Sequence, residues 1–404
     1  MSPVPEIGKR LYQQMSAFVQ LVLRCVVGVA LVFILLFFSV QRVFAEETYG
    51  HTAVTEKFDA GEFIFEHISD SHYWHIFSWK EHHVALPLPV ILYSANSGFR
   101  VFMSSEFQHG HCTYKNFKII LEGDRKGKIV ELDTAGNILE KMPLDFSITK
   151  NVLAVFFSLA LMLWLFISVA KVYARRKGQA PRGMQGLVET VIVFIRDEVA
   201  RPSIGEKKYE RFLPYLLMVF FFILLNNLLG LIPVIPGGTN VTGNIAVTMV
   251  LAFFTFVVTN FSANKNYWKD IFNTPGVPWW LKIPLPVMPF VEFLGILTKP
   301  FALMVRLFAN ITAGHIIALA FFGLIFLAGE FSPVMGYGIA IPTLLFSIFM
   351  IFLELLVAFV QAFVFTLLSA VFIGMANEEH HAAKGHSTDR ETGAGLTGHE
   401  KYKL

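Results

Sequence analysis

Apolar and polar positions along this 404-residue chain fall into three regimes. An uncharged run from Cys25 to Val40 follows Lys9, Arg10 and Arg24. From 46 to about 150, polar and aromatic residues mix with no spanning run. Beyond Asn151, long apolar stretches alternate with short charged ones. Residues 1–45 read as a signal peptide or an N-terminal anchor. The run is shorter than the ~20 residues of a spanning helix. "VFAEE" offers a small-residue cleavage site after Ala45, while Arg42 beside it counts against cleavage. Both readings place residue 46 outside the cytoplasm. In 46–150, "HVALPLPVILYS", "GFRVFMSSEF", "NFKIILEG" and "GKIVELDTAGNILEKMPLDFSI" alternate like short strands with turns, predicting a β-rich extracytoplasmic domain.

Residues 151–376 read as an all-α membrane domain. Asn151–Val172 is a span, and the basic "KVYARRKGQAPR" after it marks the cytoplasmic side. "GLVETVIVFIRDEVARP" is amphipathic but carries Glu189 and the charges of Arg196–Glu198, so it is expected on the interface rather than across the membrane. Phe212–Ile232 leads out to "PVIPGGTNVTG", which has no Lys or Arg, and Asn244–Ser262 returns. The basic segment that follows carries Trp279 and Trp280 as interface anchors. Two apolar helices remain, about Val287–Ala328 and Pro333–Met375. Each exceeds 40 residues, or roughly 60 Å at 1.5 Å per residue, against a hydrocarbon core of about 30 Å. A long, steeply tilted helical hairpin is predicted, unless the helices break. Residues 377–404 read as a disordered cytoplasmic tail.

Composition agrees: 54% of residues are hydrophobic and only 16% charged, against about 25% charged in a soluble domain. A net charge of +3 gives no support for nucleic-acid binding. Two cysteines, Cys25 and Cys112, exclude a disulfide framework. Eight of the 13 histidines lie in the β-rich segment: His51, His67, His72, His75, His82, His83, His109 and His111. Imidazole is a common ligand, but no fixed spacing or paired cysteine accompanies them. No metal or cofactor is assigned, and metal binding by the segment stays open.

The chemistry concentrates in the hairpin. Arg306 lies deep in apolar sequence, where insertion costs roughly 2.5–3.5 kcal/mol. With the turn centred near Val334 and Met335, His315 falls opposite Glu354, and Arg306 within two residues of Gln361. Asn310 sits one turn from Arg306, and Glu292, Lys299 and Arg306 form a heptad series. Glu292 and Lys299 also fit snorkelling near the cytoplasmic end. Asn310 and Gln361 also fit interhelical hydrogen bonding. Arg306, His315 and Glu354 point to function: His and Glu exchange protons near neutral pH and Arg does not. A fixed positive charge between two exchanging groups separates two half-paths. No carboxylate of this chain is obviously dedicated to Arg306, which points to a partner protein.

"LTKPFALMVRLFANITAGHII" and "LELLVAFVQAFVFTLLSAVFIGMANEEH" resemble the signature of the F-type ATP synthase subunit a family, as does "NNLLGLIP", over roughly residues 150–380. The resemblance implies a stator against a rotating c ring, with two offset half-channels coupling proton flow to ATP synthesis elsewhere in the complex. It implies Arg306 facing the ring carboxylate, flanked by Asn310 and Gln361. His315 and Glu354 would form the outer pair and Glu292 an acid of the inner path. Several bacterial members carry Glu and His at the places of His315 and Glu354, and some carry Asp at Gly230. Implied partners are the c ring, the b subunits of the peripheral stalk, the F1 sector indirectly, and lipid, in a bacterial inner membrane. The chain has no Gly-rich phosphate loop, so no nucleotide chemistry is expected in it. Sodium in place of proton stays open. A self-contained transporter and a membrane scaffold are the other readings; absence of an internal repeat counts against the first, and the cost of buried Arg, His and Glu against the second.

Overall fold

The computed structural model describes residues 59–79, 82–110, 112–121, 123, 125–133, 136–139, 141–175, 181–232, 238–272 and 287–378. Residues 1–45, read above as a signal peptide or an N-terminal anchor, the Trp279–Trp280 pair and the tail beyond 378 lie outside the described residues.

The N-terminal region opens with helix α1 (Ala60–Ile68). Strands follow: β1 (Tyr73–Trp79), β2 (His82–Pro87), β3 (Pro89–Ser94), β4 (Gly98–Met103), β5 (Phe117–Ile119), β6 (Ile129–Glu131) and β7 (Leu144–Asp145). They form three small antiparallel sheets, β1–β2, β4–β3–β7 and β5–β6. Period-two burial places Val90 and Leu92 of β3 inward with Phe102 of β4. Phe107, Phe117, Ile119 and Ile129 complete this core. Helix α1 and strand β1 are not among the elements that alternation predicts, because the aromatic run "YWHIFSW" shows no polar period.

A buried polar joint ties this region to the first long helix, α2 (Lys150–Arg175). Asp70 accepts from Thr149 Oγ1 (2.7 Å) and from the Asn151 N–H (3.2 Å). Lys150 donates its N–H to Ser71 O and its ammonium to His67 O. His72 Nε2 donates to Asp145 Oδ2 at 3.0 Å. Trp74 is buried in the same apolar cluster as the long helices, and α1 packs on the eighth helix.

The helical region continues with α3 (Met184–Phe194), a π-helical turn (Ile195–Ala200), α4 (Arg201–Ile204), α5 (Tyr209–Leu231), α6 (Ile245–Phe261), α7 (Lys265–Phe272), α8 (Val287–Phe331) and α9 (Pro333–Asn377). Helices α2, α5, α8 and α9 are each long and apolar enough to cross a membrane; α6 and α7, bent by 99° at their break, make a fifth if counted together. Segment α3–α4 is not among them. Its Asp197 pairs with both Arg196 (2.8 Å) and Arg201 (2.9 Å).

Helix α5 is the centre of the packing. Of its apolar stretch 67% is buried, against 11% and 17% for α8 and α9. Small and polar residues let helices approach closely: Tyr215 of α5 bonds Thr255 of α6 (2.8 Å), which reaches Ser369 of α9. Ala362, Thr366, Ala370 and Ala376 bury one face of α9. The carbonyls at the end of α9 are capped by Lys208 Nζ, by Asn264 Nδ2 and by the Asn264 N–H, which suits a helix C-terminus. At the other end, Ser332 alone separates α8 from α9, and Gly336 packs on the Cα of Gly329.

Two predictions follow from the joint and the packing. Burial alone would lower the His72 pKa, but the Asp145 hydrogen bond and charge, with Asp70 adding, outweigh it and raise the pKa above its ordinary 6.5. Burial likewise opposes the Asp145 carboxylate, yet His72 and Ser147 hold its pKa below 3.8. Burial pushes Asp70 up, against its hydrogen bonds. The His72 contribution is whole below the unfolded pKa and is lost as pH rises through the raised folded value. The Asp145 contribution is whole above its unfolded pKa and is lost as pH falls through the depressed value. The Asp70 contribution is whole below its unfolded value of 3.8 and is lost as pH rises through the raised folded value. Stability should therefore be highest near the acid end of the window between about pH 4 and pH 6.5 and fall on alkalinisation. Thermal unfolding in detergent measures this, and His72→Gln should flatten the alkaline fall. Separately, a Cβ at Gly374 would lie 1.9 Å from Ser203 O, a backbone atom. Gly374→Ala should destabilise by about 1–3 kcal/mol or more by overpacking. Gly338→Ala, with nothing within 4 Å of its Cβ, lacks that clash and serves as the comparison in the same melting experiment.

Candidate functional site

Contacts along the hairpin fix its register. Gly329 meets Gly336, the rings of Phe321 and Phe346 stack at 5.8 Å, and Gly314 meets Glu354. Continued inward, this register brings Arg306 level with Gln361. Leu303 and Leu307 turn into the core with Ala362 and Phe365. Arg306 and Asn310, three and seven residues after Leu303, lie along the edge of this buried stripe. Both are exposed, and neither has a hydrogen-bond or ion-pair partner among the described residues. Exposed apolar side chains of both helices, including Leu297, Phe301, Phe352, Leu356 and Val360, lie along this part of the hairpin. Gln361 is buried in the seam.

His315 and Glu354 stand about 14 Å along the axis from Arg306 toward the hairpin tip, nine residues at 1.5 Å each. They share a level but turn to different neighbours. A Cβ on Gly314 would lie 3.0 Å from Glu354 Oε1, whereas the His315 imidazole turns to α5, its Nε2 3.5 Å from where a Gly230 Cβ would be. The facing pair that the spacing predicts is thus not a hydrogen-bonded one. Glu354 Oε1 is buried without a partner among the described residues.

Sequence reasoning missed the polar wall behind these two groups. Thr242 Oγ1 donates to Asn227 Oδ1 (2.5 Å), and Asn227 Nδ2 to Ala358 O (3.2 Å). Thr312 Oγ1 donates to Gly243 O. Asn226 Oδ1, Thr239 Oγ1 and both side-chain polar atoms of Asn240 are buried without partners among the described residues. Native proteins leave few such atoms, and here several fall on neighbouring residues. Two adjacent asparagines at the end of an apolar helix, in "NNLLGLIP", and "TNVTG" after them, were the available signal.

A second polar group lies toward the other end of α8. Lys299 lines a cleft with Thr255, Thr259, Asn260, Tyr267, Pro300 and Phe372. Glu292 acts electrostatically on Tyr267. Glu292 is about 21 Å along the helix from Arg306, on the side away from His315. In the N-terminal region, no three His, Cys, Asp or Glu residues converge as a metal site among the described residues. His72 is engaged by Asp145.

Residues 152–374 match the family profile of the ATP synthase A chain. Residues 63–146 match a family described only as a domain of unknown function. ATP synthase subunit a 2 of Chlorobaculum tepidum is 45% identical over 268 residues, 64% of this chain and 72% of that protein. ATP synthase subunit a of Chloroherpeton thalassium is 45% identical over 253 residues, 60% and 71% of the two chains. ATP synthase subunit a of Pelodictyon phaeoclathratiforme is 39% identical over 295 residues, 69% and 82%.

The Asn227 bridge joins α5, α9 and the Thr242 turn. Asn227→Leu should leave the Thr242 hydroxyl and the Ala358 carbonyl without these bonds, costing about 1–3 kcal/mol. A fall in melting temperature of the purified protein measures it, and an unchanged value would remove the bridge from the packing.

Proposed function

The chain belongs to the ATP synthase subunit a family, and from that premise we propose that it is the stator that offers protons to a rotating c ring through two half-paths. The observation that carries this reading is Arg306: exposed, without a partner among the described residues, on a hairpin rich in exposed apolar side chains, between two polar groups at different positions along it. A charge so placed needs a counter-charge, and a carboxylate presented by the ring supplies it. The guanidinium keeps that carboxylate ionised as it passes. It cannot relay a proton itself, so a proton must travel with the ring rather than straight across.

The outer half-path runs past Asn226, Asn227, Asn240 and Thr242 to His315 and Glu354. Unpartnered buried polar atoms there suit a hydrated route. The inner half-path leaves by the side of Glu292. Asn310 and Gln361 flank Arg306 and order the seam behind it. Helices α8 and α9, 45 residues each, are about 68 Å long. We place them obliquely across a core of about 30 Å, so that one face follows the curved ring. The N-terminal region lies outside the cytoplasm and braces the outer end through α1 and the Asp70–His72–Asp145 joint. The b subunits hold the chain from the cytoplasmic side in a bacterial inner membrane. The F1 sector, reached indirectly, carries the nucleotide chemistry.

ATP synthesis by inverted membrane vesicles under an imposed pH gradient, with sodium removed, tests this. Arg306→Ala should lower coupled synthesis at least about 100-fold, or 2.7 kcal/mol, in complexes that still assemble, and passive proton leak should rise. Arg306→Lys should not restore it fully, because lysine lacks the planar fork and loses its proton when buried. Near-normal synthesis in Arg306→Ala would sink the separator role; transport by the chain purified without a ring would favour a self-contained transporter.

A further inference from the structure

A Cβ built on Gly230 of α5 would meet three atoms: Thr239 O at 3.3 Å, His315 Nε2 at 3.5 Å and His315 Cε1 at 3.8 Å. The polar edge of the imidazole therefore stands directly against the bare Cα of a glycine. The slot is closed on one side by the backbone of α5 and on another by the Thr239 carbonyl. Gly230 is helical and needs no unusual backbone angle, so its small size, rather than its conformational freedom, is what the site uses.

We propose that Gly230 is a positioning residue for the outer proton path: lacking a side chain, it opens the slot that holds the His315 imidazole against α5 instead of against Glu354. This rests on the role given to His315 above. With the ring so held, a proton passes from the Thr239–Thr242 segment to His315, and then to Glu354, as two separate transfers. Apart from α1, whose Glu62, Glu66 and His67 belong to a helix that also packs on α8, few charges bear on the imidazole. Helix α5 carries none beyond Glu210 and Arg211 at its far end, and α6 carries none. The Thr239–Gly243 segment is uncharged, Glu354 is the one charge on α9, and on α8 the nearest charges are Arg306 and Glu330. The group at position 230 therefore sets both where the ring stands and what it senses. An added apolar side chain displaces the ring; an added carboxylate becomes its nearest acceptor and favours the imidazolium.

The test uses the whole ATP synthase in inverted vesicles, with lumenal pH preset by loading, since the outer path opens to the lumen. Gly230→Leu and Gly230→Asp are each made in the native chain and in His315→Ala. Gly230→Leu should lower synthesis about tenfold or more in the native chain, as loss of a positioned proton-transfer group does. In His315→Ala it should lower it less than about twofold further. Gly230→Asp should move the lumenal-pH midpoint up by about one unit, again only when His315 is present. Equal losses in both backgrounds would make Gly230 a packing residue and overturn the proposal. So would normal rates and pH profiles for the Gly230 variants when His315→Ala alone is impaired. If His315→Ala itself changes neither rate nor pH profile, the role given to His315 fails first, a separate result. Should the leucine variant not assemble, Gly230→Ala gives the same comparison at smaller amplitude, because its Cβ meets Thr239 O and the ring at 3.3 and 3.5 Å.

Discussion

A permanent charge held in apolar surroundings must find a counter-charge, and Arg306 has none among the described residues. Much of the architecture can be read as a consequence. The face around Arg306 must stay apolar and open, which is why α8 and α9 are so little buried despite their length. Proton-exchanging groups must stay at a distance from it, or the guanidinium would suppress protonation of the imidazole and the carboxylate alike. The nine residues that separate Arg306 from His315, and the fourteen that separate it from Glu292, provide that distance on one continuous helix.

An open face needs a stiff back. Helix α5 supplies it, with buried Phe220, Phe221 and Ile223 packed against the hairpin and α2. Close-packed interiors transmit strain rather than absorb it. Polar bonds add direction that apolar packing lacks: Tyr215–Thr255–Ser369 crosses three helices, and the Lys208 and Asn264 caps fix the end of α9. Close contact of Gly374 with Ser203 sets how near α9 comes to α4. The N-terminal region is joined to this frame by Trp74 and by buried charges, so it is built as a brace on the helices rather than as a tethered module.

Long apolar runs made the long helices readable, because 18 or more apolar residues in succession have few alternatives. Isolated charges inside such runs made Arg306, His315 and Glu354 stand out as candidates for the same reason. Strand alternation located β3 and β4 but not β1, whose aromatic residues carry no period. Counting from the turn brought His315 and Glu354 to one level. It could not say which way each side chain leaves its helix, because that depends on α5, a third element absent from hairpin counting. Asn226, Asn240 and Thr242 were overlooked because a lone polar side chain near a helix end has an ordinary explanation as a cap or a turn. Only the tertiary arrangement shows several of them buried together.

The two glycines beside the titratable pair show how that third element enters. Gly314 gives Glu354 room against α8, and Gly230 gives His315 room against α5. A direct imidazolium–carboxylate bond would stabilise one protonation state of both partners at once. Transfer between them would then stall in the paired form. Separating the two sets of contacts keeps each group's affinity set by its own surroundings, as the proposed transfer of a proton from one to the other requires. The cost is a buried carboxylate oxygen without a partner among the described residues, which an interior built for stability alone would not retain. That oxygen, the asparagine wall and the arginine are therefore one pattern: polar groups without partners among the described residues, which on the proposed function a moving proton or a passing carboxylate would satisfy in sequence.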